Sequence, residues 1–342
     1  MTTNNNLTVH KQTVLASRLA FALWANKNNK QQVLRQLQQQ EVNIDEIAGE
    51  RVPLAIVTEE IQAAARLSQE PQLGLKILDL IDIRITSLYQ AVQQALQGIG
   101  RQNIHLPAAM LLRLIVRYFH ILSEVVELEL QYQQDSLVVL FTPRNPDNHS
   151  YHQIEGAVYG LIKLVRELNQ TEPEAIYFAH VPDSIDSDLY QQCLKLTPEF
   201  NSRTTRLVYR AEKQTAQNTL PVLLNPLINL HDKNFPHMDY AQRCELLLQA
   251  ILGFVEPNRE TIASILNLSI STLQRRLKES GTNFNDVLLK VRKQMVQEYL
   301  KNPQLTAEQL AFLLGYKAKS QFLKAFRQWF GQTPQEYRQL QN

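Results

Sequence analysis

The chain has 342 residues, 44% of them hydrophobic and 20% charged, with a formal net charge of +2. That length supports two domains with sizeable cores, and the near-neutral total excludes a surface that is polyanion-binding throughout. Only Cys193 and Cys244 are present, which excludes a disulfide framework or a Cys-rich zinc site and fits a reducing compartment. The N-terminus, MTTNNNLTVHKQ, has no apolar signal core, and no run of about 18 uncharged apolar residues follows. A cytoplasmic protein that does not span a membrane is expected.

Charge is unevenly placed. From Val255 to the end there are 13 Lys and Arg against 7 Asp and Glu, a net of +6, whereas residues 1–254 carry 22 against 26, a net of −4. A near-neutral front and a basic tail suggest sensing in front and nucleic acid behind.

In chain order, helices are predicted over residues 14–24, 31–40, about 58–68, 85–96 and 107–122. In the last, Met110, Leu111, Leu114, Ile115, Tyr118 and Phe119 follow the i, i+3, i+4 rule. Arg113, Arg117 and His120 fall largely on the other side, where they either ring an effector carboxylate or form a solvated, ion-paired face. The period then changes. Residues 126–132 alternate apolar and polar, a half-buried strand that Gln133-Gln134-Asp135 turns into a second strand over 137–141. Glu127 and Glu129 share the wet face of that hairpin and are not an acid–base pair. A helix over 151–168, short strands over 175–180 and 206–210, and a small helix near 189–196 complete an α+β domain.

Residues 225–238 contain two prolines and two histidines without a clear period. An effector-sensing or dimerisation domain is therefore placed at 1–230, a linker at 231–238 and an all-α domain at 239–342. The histidines His231 and His237 lack convergent ligands, and no metal or cofactor is expected.

The tail holds two related units. In 259–280 a short amphipathic helix is broken at Asn267-Leu268-Ser269. Asn tolerates the left-handed turn, and Ser269 is a good N-cap for a second helix. There Ile270, Leu273 and Leu277 share one face, and Ser271, Gln274, Arg275 and Lys278 another. This is a helix-turn-helix, one face docking on a core and the other presenting donors; Arg can pair with guanine and Gln with adenine on the major-groove edge. In 306–330 the pattern repeats. Thr306 and Gln309 make a capping box, Gly315 stands at the turn, and Phe322, Phe326 and Trp329 point inward. A helix over 283–300 joins the two. At roughly 26 Å it can hold two reading heads about one DNA turn apart. Thr333-Pro334-Gln335-Glu336 is a strong helix start.

Two segments, SISTLQRRLKESGTNF and LAFLLGYKAKSQFLKAFRQWFGQTPQEYR, resemble the DNA-binding domain of AraC/XylS-type transcriptional regulators over about residues 239–340. The resemblance implies that each second helix enters a major groove. Carried over by position, Ser271, Gln274 and Arg275 face bases in the first head, and Lys319, Ser320 and Lys324 in the second. Arg276, Lys278 and Arg327 face phosphates. More loosely, EPQLGLKI, LIVRYFHIL and the 126–141 hairpin resemble the arabinose-binding-like effector domain of one AraC-type subgroup, across most of residues 14–210. Two positions depart from the family pattern. Asn267 stands where many relatives have Gly, and Lys317-Ala318 replaces a Ser-acid pair at the start of the second reading helix. The latter implies a lost cap and a second head that DNA orders. The expectation is a non-enzymatic activator, with double-stranded promoter DNA, RNA polymerase and an unknown small-molecule effector as partners and a homodimer as its assembly. The competing readings are a DNA-targeted enzyme, for which no nucleophile–base constellation appears, and an interaction protein whose second head no longer reads DNA.

Overall fold

The computed structural model describes residues 7–98, 108–133, 135–211 and 220–340. The order is β1 (Thr8–His10), α1 (Lys11–Lys27), α2 (Gln31–Gln38), β2 (Arg51–Pro53), α3 (Leu54–Ser68), α4 (Leu73–Leu80), α5 (Ser87–Gly98), α6 (Ala108–Tyr118), β3 (Val126–Tyr132), β4 (Ser136–Pro143), α7 (Tyr151–Asn169), β5 (Ala175–Tyr177), α8 (Ser187–Leu194) and β6 (Thr205–Arg210). Helices follow: α9 (Leu220–Asn234), α10 (Tyr240–Ile251), α11 (Arg259–Ile265), α12 (Ile270–Glu279), α13 (Phe284–Leu300), α14 (Ala307–Leu313), α15 (Lys319–Phe330) and α16 (Pro334–Gln339). An α+β front and an all-α tail are thus present. Three features differ from the sequence expectation. The stretch read as irregular from 225 is helical as far as Asn234, with Pro226 inside α9. The two three-residue strands β1 and β2 pair antiparallel, with Val9 opposite Val52. The helix α4 also went unanticipated.

The chain forms two compact units. One takes the chain up to Gln93 with Tyr118–Leu130 and Val138–Arg210; the other takes Gln94–Arg117, Gln131–Leu137 and the chain from Ala211 on.

In the first unit a four-stranded sheet has the order β3-β4-β6-β5. Strand β5 runs antiparallel to β6, Ile176 opposite Leu207. Strand β3 alternates buried and more exposed residues along its length, as a sheet with one wet face requires. A helical core joins Phe21 and Trp24 of α1, Leu37 of α2, Ala64 of α3 and Leu73 and Ile77 of α4. Helix α7 begins with a capping box between Ser150 and Gln153 and buries twelve of its residues, more than one face can hold. It lies so close to α4 that a Cβ on Gly74 would overlap the His152 carbonyl. The buried Glu155 carboxylate on α7 accepts from Tyr190 Oη at 2.6 Å and pairs with His180 Nε2 at 3.1 Å, which is what makes a buried acid tolerable.

In the second unit side-chain caps start one helix after another: Asp239 for α10, Asn258 for α11, Ser269 for α12, Asn283 for α13, Thr306 for α14 and Thr333 for α16. Each supplies an acceptor to an early backbone N–H that would otherwise be unsatisfied. The core joins Leu248 and Ile251 of α10, Ile262, Leu273 and Leu277 of the first helix pair, Val291 of α13, and Leu310, Phe322 and Phe326 of the second.

Candidate nucleic-acid interface

Helices α11 and α12 form the first helix-turn-helix. Asn267 at the turn has φ 54, the left-handed conformation expected of it, and its N–H bonds back to Ser264 O. Ser269 then caps α12 by accepting from the Thr272 N–H at 3.1 Å. Leu273 and Leu277 are fully buried, which fixes the helix's rotation and leaves Ser271, Gln274, Arg275 and Lys278 exposed. Ile270, expected on the buried face, is instead 39% exposed, because it is the first helical residue and overhangs the turn. Arg276 is half-buried rather than fully outward. Its guanidinium lies 5.1 Å from the Tyr240 ring centroid, and its Nη1 is 3.7 Å from Glu279. Arg275 Nη1 also meets Glu279, at 2.6 Å. One carboxylate therefore holds both arginines before any ligand arrives.

Helices α14 and α15 form the second. The capping box of Thr306 and Gln309 is present. Gly315 has φ 70, and a Cβ there would sit 3.0 Å from a Leu252 methyl and 3.3 Å from Pro257. Only glycine meets both demands. Lys319, Ser320, Lys324 and Arg327 are exposed along α15, while Phe322 and Phe326 are fully buried. Trp329 is only half-buried, 6.4 Å from the Tyr316 ring.

Side chains on α13 and α16 position these heads, and sequence reasoning did not single them out. Arg292 on α13 donates from Nε to Leu314 O at 3.0 Å and from Nη2 to Gly315 O at 3.2 Å, with its guanidinium over the Tyr316 ring. It caps the end of α14 and braces the turn, as a cation at a helix C-terminus should. Partial burial lowers its pKa. Arg338 on α16 donates to Leu300 O, Asn302 O and Leu305 O and secures the exit from α13. The only sequence signal for either is a cation on a helix with many carbonyl ends nearby.

The three effector candidates are placed as follows. Arg113 is buried within the second unit. Its Nε donates to Tyr132 Oη at 2.9 Å, its Nη1 donates to the Leu252 carbonyl at the end of α10, and its guanidinium lies 4.5 Å from the Phe254 ring centroid. Burial pushes the Tyr132 phenol up to about 12. Arg117 and His120 are half-buried. A cavity of about 560 Å³ lies in the first unit, and none of the three lines it; its wall comes mainly from α1, α3, α4 and α7.

Comparison with known proteins agrees with this geometry. Residues 262–340 match the family profile "Helix-turn-helix domain", and residues 109–215 match "Arabinose-binding domain of AraC transcription regulator, N-term". Two separate stretches of the chain are thus similar to helix-turn-helix proteins and to the N-terminal domain of AraC-type regulators. Among AraC-type relatives, the chain is 36% identical over 98 residues to the HTH-type transcriptional regulator VirS of Mycobacterium tuberculosis. That alignment covers 29% of each chain, so this chain spans under a third of that relative's length. A further HTH-type transcriptional regulator of the same organism is 28% identical over 247 residues, 66% of this chain and 69% of its own. The crystal structure of the transcriptional regulator CdpR from Pseudomonas aeruginosa aligns over 90% of this chain and 98% of its own, at 20% identity and a TM-score of 0.39.

Both departures from the AraC-type pattern have local consequences. Asn267 adopts the turn conformation without glycine. Ala318 stands at the N-cap of α15 with no side-chain cap bond, so the early N–H groups of that reading helix lack the acceptor present on α12. Lys317 pairs with Glu256 at 2.9 Å, both side chains being well exposed, which offsets part of the charge beside the positive helix end.

Proposed function

We propose that the chain is a sequence-specific DNA-binding transcriptional regulator. In this reading residues 1–230 sense a small molecule, 231–238 join the parts, and 239–342 read promoter DNA. The observation that carries it is the pair of exposed basic faces on α12 and α15, each on the second helix of a helix-turn-helix. Such helices dock in the major groove, with Arg and Gln matched to purine edges. We assign Ser271, Gln274 and Arg275 to bases in the first head and Lys319, Ser320 and Lys324 in the second. Lys278 and Arg327 serve phosphates, and Arg276 does so from its half-buried stack on Tyr240. The relatives carry the names of transcriptional regulators, not enzymes. A cytoplasmic homodimer that activates transcription by touching RNA polymerase completes the proposal.

The test is a gel-shift series of the full chain against its own upstream DNA across salt concentrations. A shift that weakens steeply with salt yet survives unrelated competitor DNA is expected. A shift abolished equally by any competitor would overturn sequence-specific reading.

A further inference from the structure

Helix α1 carries an apolar stripe that the fold leaves uncovered. Leu15, Leu19 and Leu23 are 51%, 63% and 53% exposed. No other helix among the described residues leaves more than one large apolar side chain exposed. Single exposed leucines are ordinary, but leucines at i, i+4 and i+8 make one continuous stripe in contact with water. The opposite side of α1 is buried through Val14, Phe21 and Trp24, so the helix cannot rotate to hide it.

The stripe is free of charge. At about 100° per residue, the side chains within roughly 60° of Leu19 are Gln12, Leu15, Ala16, Ala22, Leu23 and Asn26. Charges stand only at its edges. Arg18 is bound to Glu60 and donates to Val42 O, Lys11 Nζ donates to Ile47 O, and Lys27 is exposed at the helix end. Val42 and Ile85 are exposed apolar residues that border the helix, Ile85 O accepting from Gln12 Nε2 at 2.8 Å. They extend the apolar area toward the roughly 800 Å² per partner of a standard interface.

The order of residues in the stripe points to one occupant. It reads the same in both directions about Leu19: Gln12 is matched by Asn26, Leu15 by Leu23 and Ala16 by Ala22. A two-fold interface sets a patch against its own copy. Where two α1 helices cross antiparallel at Leu19, each residue therefore meets its like: leucine on leucine at the centre, alanine beside alanine at the flanks, amide on amide at both ends. Gln12 Nε2 is engaged within the chain, which leaves Oε1 to accept from the Asn26 amide of the second copy. Antiparallel packing also lays the N-terminus of each helix beside the C-terminus of the other, where the dipoles attract. A foreign partner gives no reason for the symmetry.

We propose that the exposed face of α1 is the two-fold interface of a homodimer, two copies of the helix packing antiparallel across Leu19. This rests on the homodimer of the reading above and supplies its surface.

Sedimentation equilibrium of the full chain should give a dimer. Leu19→Glu sets two carboxylates against each other at the two-fold axis and should weaken dimerisation at least roughly a hundredfold. Leu19→Lys should do the same, and both should keep the parent's circular dichroism because Leu19 is exposed. Mixing the two variants should restore dimers, all of them mixed. Chains with Gln12→Cys and with Asn26→Cys, whose native Cys193 and Cys244 are buried, should cross-link to each other through a short dimaleimide and not to themselves. A parent that sediments as a monomer yet gives the specific gel shift would overturn the interface, leave the regulator reading standing and open the stripe to a different protein. Leu19→Glu as dimeric as the parent would move the dimer contact elsewhere and overturn this surface alone. Failure of the two Leu19 variants to combine, or Gln12→Cys cross-linking to itself, would overturn the antiparallel pairing. A dimer that behaves as expected without a specific gel shift supports the interface and counts against the regulator reading alone.

Discussion

The two helix-turn-helix heads use one plan with opposite economies. In the first, the turn is made by Asn267 and the reading helix is capped by Ser269. Its arginines, Arg275 and Arg276, are both held by Glu279. In the second, the turn requires Gly315 and is braced by Arg292, but the reading helix starts at Ala318 without a cap. Lys319, Lys324 and Arg327 line its exposed side. The first head is finished as a fold and partly neutralised as a binder. The second is tightly fixed at its turn and open at the start of its reading helix. A bound phosphate at that start would supply the missing acceptor.

The sharpest way to break the comparison is at the turns. Gly315→Val places a branched side chain at positive φ and drives it into Leu252 and Pro257, and should cost about 2–4 kcal/mol. Asn267→Gly, at the equivalent place in the first head, should stay within about 1 kcal/mol of the parent because glycine adopts the same conformation more easily. Denaturant midpoints at matched slopes measure both. Equal effects would mean that the two turns carry the same constraint.

The next contrast is between reading and holding within α12. Arg275→Ala should cost about 1–3 kcal/mol and relax preference at one base pair, whereas Lys278→Ala should weaken all sequences alike and lower the salt slope by about one. Binding to a panel of single-base operator variants separates them. An unchanged preference profile in Arg275→Ala would remove Arg275 from the bases.

How much of this was visible in the sequence depended on how local the cause was. Caps and turns are local, so Asn267, Ser269, Thr306, Gly315 and Thr333 were legible, as was the alternating strand β3. Helix α4 was not, because Leu73, Gly74, Leu75 and Ile77 are all buried and a short helix enclosed by neighbours shows no polar face. Strands β1 and β2 are three residues each and pair across more than 40 positions of chain, beyond any window of periodicity. Helix α9 was hidden by Pro226, which reads as a breaker. Of the site, the exposed donors of both heads were legible because Leu273, Leu277, Phe322 and Phe326 fix the helix rotation. The roles of Arg113 and Arg292 were not. Such an arginine is defined by the carbonyls it reaches, and those lie 139 residues away for the buried Arg113 and 22 for the half-buried Arg292. The cavity, built from four helices, has no sequence signature.

The cap difference predicts a smaller pair of effects. Ala318→Ser should stabilise the second head by about 0.5–2 kcal/mol, and Ser269→Ala should destabilise the first by a similar amount. Hydrogen exchange gives a site-resolved reading. Amides at the start of α15 should gain protection on adding operator DNA in the parent, and gain less in Ala318→Ser, whose cap already satisfies them. Equal protection of residues 318–330 with and without DNA in the parent would show that the missing cap leaves nothing for DNA to order.

The smallest effect concerns Glu279, which pairs with both arginines of the first head and, in the proposed reading, would compete with DNA for them. The pairs are well exposed, at 60% and 50% for Arg275 and Glu279, so the competition is worth no more than about 0.5 kcal/mol. Glu279→Gln should leave thermal stability almost unchanged. It should raise affinity for unrelated DNA by roughly twofold at low salt and for operator by less, and the gain should fade as salt rises. The asymmetry matters more than the size. The carboxylate repels every phosphate equally but returns Arg275 only when guanine offers a better, bidentate acceptor. A gain for unrelated DNA larger than that for operator is therefore the signature of a residue that sharpens discrimination. An equal gain at all salt concentrations would reduce Glu279 to an ordinary helix-surface charge.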